Sequence, residues 1–106
     1  MRATSRLLQS CRITLFTREN CGLCSQARSV LSDVWDKRPF AFTQVDIIKP
    51  EWRAWRDLYE FDVPVIHISK AQSPEEDPGL SSKAIKLMHR FTADEVEAKM
   101  DAAERG

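Results

Sequence analysis

Two cysteines with two residues between them, Cys21-Gly22-Leu23-Cys24, are the part of this chain best equipped to do chemistry. They stand where an apolar, β-like run over residues 12–17 gives way to a helical pattern from Ser25. A C-x-x-C pair at a strand-to-helix junction reads as a redox motif. The reason is electrostatic. The first turn of a helix leaves backbone N–H groups unpaired, and the aligned peptide dipoles put partial positive charge there. A thiolate at that place is stabilised, and its pKa falls from about 8.5 into a range of roughly 3.5–7.5. Asn20 is a good cap residue, which predicts Cys21 in the first turn and Cys24 on the same helical face. Cys21 is therefore the expected nucleophile. Cys24 is the expected resolving thiol, placed to attack a mixed disulfide formed by Cys21.

Two blander readings compete. A C-x-x-C pair can be half of a zinc site, which needs two further ligands. The remaining candidates are Cys11, His67 and His89, and none of them forms a second paired knuckle. The pair could also be two buried, inert thiols. Gly22 speaks against that, since burial alone does not call for a flexible residue there. Cys11 reads as a bystander at the far end of the first strand. His67 reads as a half-exposed strand residue rather than a catalytic base.

Composition narrows the function classes. With 106 residues the chain fits one domain, long enough to bury a core without disulfide staples. Formal net charge is zero and the sequence pI is about 6.7, so no basic patch for nucleic acid is expected. No apolar run approaches the roughly 18 residues a membrane span requires. An odd number of cysteines, three, argues against a secreted disulfide framework and for a reducing compartment. Residues 1–11 form a short basic leader without an acidic residue, which resembles the start of a mitochondrial transit peptide. A disordered leader on a cytoplasmic protein fits the same residues, so the expected location is cytoplasmic or mitochondrial. Residues 12–106 form the single domain.

Several elements must position the pair. Residues 12–17 are strand formers, apolar on both faces, as in a strand central to a helix-covered sheet. Cys24, Ala27, Leu31 and Val34 recur at helical spacing, widened by Val30 and Trp35, until Lys37-Arg38-Pro39 closes the helix. Residues 40–48 read as a second strand, parallel to the first across this helix. Pro50 suits the start of a second helix, whose Trp52, Trp55, Leu58 and Tyr59 form an aromatic stripe read as core. Pro64 enters an apolar strand, on which Val65 and His67 share one face and Ile66 and Ile68 the other. Residues 70–82 are polar, acidic and aperiodic, a loop. Residues 84–91 read as a short strand, and Thr92 with Glu95 makes a capping box for a last helix with Val96 and Met100 inward.

In this order, with Leu15-Phe16-Thr17-Arg18-Glu19-Asn20-Cys21-Gly22-Leu23-Cys24 and Val63-Pro64-Val65 as its specific parts, the chain resembles the glutaredoxins. The likeness covers residues 12–104 and points to the small, divergent glutaredoxin-like proteins of eukaryotes. It implies an α/β thioredoxin-like fold, a four-stranded mixed sheet with helices on both faces. It also implies a cis peptide before Pro64, facing the cysteines. The Val63 backbone would pair with an incoming peptide or glutathione, and Arg18 would meet the glutathione carboxylate. The implied activity is thiol–disulfide exchange on protein or glutathione disulfides by a monomer. No cofactor is bound tightly, and glutathione serves as reductant. Some glutaredoxins hold an iron–sulfur cluster between two subunits, so a glutathione-assisted cluster carrier is the alternative. A thioredoxin-fold binding module with idle cysteines is another. The sequence departs from the family at Gly22 and Leu23, where Pro and Tyr are usual, and in the longer loop at residues 70–83. It departs again at His89-Arg90-Phe91, where a Gly-Gly pair is usual. Side chains of Arg90 and Phe91 are expected to crowd glutathione there and weaken its use.

Overall fold

The computed structural model describes residues 10–106. Strand β1, Cys11–Thr17, is buried along its whole length except at Arg12. A strand apolar on both sides needs cover on both, and β1 sits inside a four-stranded sheet of order β2-β1-β3-β4. Strand β2 is Ala41–Asp46, β3 is Val65–Lys70 and β4 is Ile85–Met88. β1 and β2 are parallel, while β3 is antiparallel to both β1 and β4. The sheet is mixed, as the resemblance implied. β1 takes in Cys11, so the residue expected to end the leader belongs to the sheet; residues 1–9 of that leader lie outside the described residues.

Helix α1, Gly22–Lys37, and helix α3, Ala93–Arg105, cover one face of the sheet. Ala27, Leu31 and Val34 of α1 meet Ile13, Leu15, Ile66 and Ile68 of the central strands. Val96, Met100 and Ala103 of α3 complete this aliphatic layer. Thr92 and Glu95 form the expected capping box, which satisfies the N–H groups of both residues at the start of α3. At the far end of α1, Arg38 ties the two helices together through Asp101 at 2.8 Å and Glu104 at 3.2 Å.

The opposite face is covered by the seven-residue helix α2, Arg53–Tyr59, and by the loop after β3. Trp55 and Tyr59 of α2 are buried against Phe16, whose ring centroid lies 4.4 Å from that of Trp55. The expected aromatic stripe is only half core: Trp52, in the 3-10 turn ahead of α2, and Leu58, on the outer side of α2, are 36% and 41% exposed. His67 is buried at 1% exposure, not half-exposed as its strand position suggested. The loop folds back over it. His67 Nε2 lies 2.7 Å from the Tyr59 hydroxyl, and Nδ1 lies 2.7 Å from Glu76. Glu76 in turn pairs with Arg12 at 3.1 Å. A carboxylate only accepts, so in the neutral ring Nδ1–H donates to Glu76 and Nε2 accepts from the Tyr59 O–H.

Candidate active site

β1 ends at Thr17, and the chain turns into α1 through residues 18–21. Asn20 adopts a left-handed backbone with φ 56°, a conformation that asparagine tolerates better than most residues. The turn there moves the cap one residue onward. Cys21 itself, with φ −123°, is the N-cap, and its Sγ accepts from the Cys24 N–H at 3.1 Å. The expected cap at Asn20 is thereby corrected. The consequence strengthens the electrostatic argument, because the sulfur takes the place of the capping oxygen and receives the orphan N–H directly.

Cys21 and Cys24 are joined as a disulfide, with Cα atoms 5.2 Å apart. The two sulfurs differ in access: Cys24 is fully buried against α1's inner face, while Cys21 keeps partial exposure. A Cβ at Gly22 would meet nothing within 4 Å, so the missing side chain leaves open surface beside Cys21 rather than relieving a crowded fold.

The Val63–Pro64 peptide is cis. Register brings it to the same end of the sheet as the cysteines: Phe16 pairs with Val65, so Pro64 falls beside Thr17, where β1 leaves for the motif. Among the described residues, the Val63 N–H and C=O have no hydrogen-bond partner. The Pro64 carbonyl accepts from the His89 N–H at 2.8 Å, and the His89 ring reaches Asp62 at 3.3 Å. The loop before β3 and the loop after β4 are thus sewn together at this end. Arg18 stands three residues before Cys21, half-buried, and makes no ion pair among the described residues.

His89 has φ 64°, the left-handed conformation that a glycine would adopt without cost. Phe91 turns inward and is buried among the aliphatic layer, while Arg90 is exposed. The expected crowding by Phe91 is therefore corrected, and only His89 and Arg90 carry side chains on the outer side of this turn. Of the other residues weighed as metal ligands, Cys11 is buried at the opposite end of β1 and His67 is on the α2 face. His89 stands at the cysteines' end but its ring reaches Asp62, and among the described residues no group of three metal-ligating side chains converges.

Sequence reading misses Thr17 and Arg28 here. Thr17 is buried at the end of β1, and its hydroxyl accepts from Arg28 at 3.3 Å, while the same guanidinium donates to Gln44 at 3.2 Å. One turn beyond Cys24, this arginine fastens α1 to β1 and β2. In the sequence Arg28 reads as a solvated residue because its partners lie on other elements.

A family model described as "Glutaredoxin-like domain (DUF836)" matches residues 12–101. The chain belongs to this glutaredoxin-like family. Solved structures of low identity share the thioredoxin fold. A thioredoxin-2 described as a component of the malaria parasite's protein secretion machinery is 15% identical with a TM-score of 0.61, over 88% of this chain and 82% of that one. A mutant thioredoxin from Halobacterium salinarum is 14% identical with a TM-score of 0.63, over 91% and 76%. Protein Ne2328 from Nitrosomonas europaea is 19% identical with a TM-score of 0.60, over 85% and 91%. In the glutaredoxin-like domain described here, a half-accessible sulfur at a helix cap is bonded to a buried one a turn later, which suits thiol–disulfide redox chemistry. No helix among the described residues is long and apolar enough to cross a membrane.

Proposed function

We propose that this domain is a thiol–disulfide oxidoreductase of glutaredoxin type, working through Cys21 and Cys24. The observation that carries the reading is the asymmetry of the pair: Cys21 is accessible and capped by the Cys24 N–H, and Cys24 is buried behind it. The Cys21 thiolate attacks one sulfur of a substrate disulfide. That S–S bond breaks, a mixed disulfide forms, and the departing thiolate takes up a proton. Cys24 loses its proton and attacks Cys21 Sγ, which releases the second substrate thiol and leaves the Cys21–Cys24 disulfide. Two electrons pass to the substrate. Two molecules of a small thiol such as glutathione then return the pair to the dithiol and leave as their own disulfide.

Val63 supports the binding half of this reading. A free N–H and C=O beside Pro64 offer strand-like pairing to a substrate backbone. Arg18 supplies a cation for a glutathione carboxylate. Glutathione dependence is weak in this proposal, because His89 and Arg90 carry side chains where the family has glycines. A cytoplasmic or mitochondrial location would keep the dithiol reduced. Gly22 mildly favours the cluster-carrier alternative by loosening the motif. That reading needs glutathione as co-ligand and so meets the same obstruction.

The decisive experiment is trapping. Cys24→Ser should freeze covalent complexes through Cys21, seen by mass spectrometry under non-reducing conditions. Cys21→Ser should form none and should have no exchange activity. No exchange activity in the wild type and no complex trapped by Cys24→Ser would leave only a binding module with idle cysteines.

A further inference from the structure

Phe61 is the most exposed large apolar side chain among the described residues, at 91%. It occupies the turn between α2 and Pro64, which is pinned on either side. The Glu60 N–H donates to the Arg56 carbonyl and the Asp62 N–H to the Tyr59 carbonyl, both at 2.9 Å. Neither core layer uses Phe61. Lone exposed apolar residues are common, so its position has to carry the argument. Phe61 is three residues from Pro64, a reach of at most about 11 Å. Val63, with its unpaired backbone groups, lies between them. Ile48, also exposed, leaves β2 at this same end, next to Ile47, whose N–H donates to the Thr17 carbonyl at 3.0 Å.

The acidic side chains around Phe61 already have partners. Asp57 pairs with Arg53 at 3.2 Å and Glu60 with Arg56 at 3.9 Å, and Asp62 lies within hydrogen-bond distance of the His89 ring at 3.3 Å. What this rim leaves unsatisfied is apolar area. We propose that Phe61 is a specificity-determining residue: it docks an apolar side chain of a polypeptide disulfide, close in sequence to the cysteine that Cys21 attacks. The inference rests on the exchange reading above. A substrate segment paired along Val63 would present alternate side chains to one side, which gives Phe61 a neighbour on every second residue.

The test compares two disulfides, insulin and bis(2-hydroxyethyl) disulfide, which has no side chain to dock. Phe61→Ala should lower kcat/KM for insulin about tenfold more than for the small disulfide, as expected for losing about half of a buried phenylalanine contact. Leu80→Ala, which trims another exposed apolar residue, in the segment between β3 and β4, should leave that ratio unchanged. Equal losses on both disulfides, or none on insulin, would overturn the role of Phe61 alone. A wild-type dimer in sedimentation that Phe61→Ala dissociates, without the selective loss, would replace the substrate by a second copy and overturn it too. A wild type inactive on both disulfides would overturn the exchange reading and this inference with it.

Discussion

The two faces of the sheet are built by different physics. Under α1 and α3 the central strands present Ile13, Leu15, Ile66 and Ile68, and two helices of ordinary length lay matching aliphatic stripes over them. Under α2 the same strands present Arg12, Thr14, Phe16, Val65, His67 and Ser69. That face is graded. Its half nearest the cysteines is aromatic and dry, with Phe16 against Trp55 and Tyr59. Its other half is polar and is closed by a loop through Tyr59, His67, Glu76 and Arg12. A seven-residue helix cannot cover four strands, so the chain substitutes directional hydrogen bonds for buried area. Aliphatic packing tolerates small shifts. A buried polar chain does not, since each member left alone costs its full desolvation.

The largest test of this contrast removes one keystone from each face. Phe16→Ala should cost about 3–5 kcal/mol and Leu31→Ala about 2–5 kcal/mol in denaturant unfolding. The more telling readout is local. Phe16 also packs on His67, with ring centroids 4.8 Å apart, so its loss should loosen the loop at residues 70–83 and expose it to limited proteolysis. Leu31→Ala should leave that loop protected. Equal cleavage of both variants would mean that the faces are not separable.

A smaller effect isolates the polar half. Burial opposes ionisation of Glu76, but hydrogen bonds from His67 and Arg12 outweigh it and hold the carboxyl below its usual value near 4.5. A carboxyl with a lowered folded pKa contributes stability that is complete above its unfolded value and lost as pH falls through the folded one. Glu76→Gln should therefore cost about 1–3 kcal/mol at pH 7, and the gap to wild type should shrink below about pH 4.5. Thermal melts of both proteins between pH 7 and pH 3.5 measure it. A gap that stays constant over that range would show that the Glu76 charge does not latch the loop.

The same contrast explains what the sequence discloses. The aliphatic face is legible because its signals are local: Cys24, Ala27, Leu31 and Val34 one turn apart, and Thr92 three residues before Glu95. The cysteine pair and the Val63-Pro64 step are legible for the same reason. His67 is not, because its burial depends on a loop with no periodicity returning nine residues later to deliver Glu76. The cap at Cys21 lies one residue beyond its expected place, since it depends on a left-handed turn at Asn20 that spacing does not announce. Phe91 escapes sequence reading for a related reason: its inward turn follows from the backbone at His89.

The smallest expected effect is at Cys11, on the aliphatic face and at the other end of β1 from the motif. Its thiol is fully buried, and Sγ lies 3.6 Å from the Met100 carbonyl and 3.4 Å from Glu104. Burial and then the Glu104 carboxylate push its pKa up to about 11. At pH 8 only about one part in a thousand of such a thiol is ionised, and the thiolate is the reactive form. Iodoacetamide should therefore label the reduced native protein at Cys21 long before Cys11. Cys11→Ser keeps a donor within reach of the same two acceptors, so it should cost no more than about 1 kcal/mol and leave disulfide exchange unchanged. Rapid labelling of Cys11 in the native protein would show that this layer opens. The aliphatic face would then be the mobile one, and the comparison would reverse.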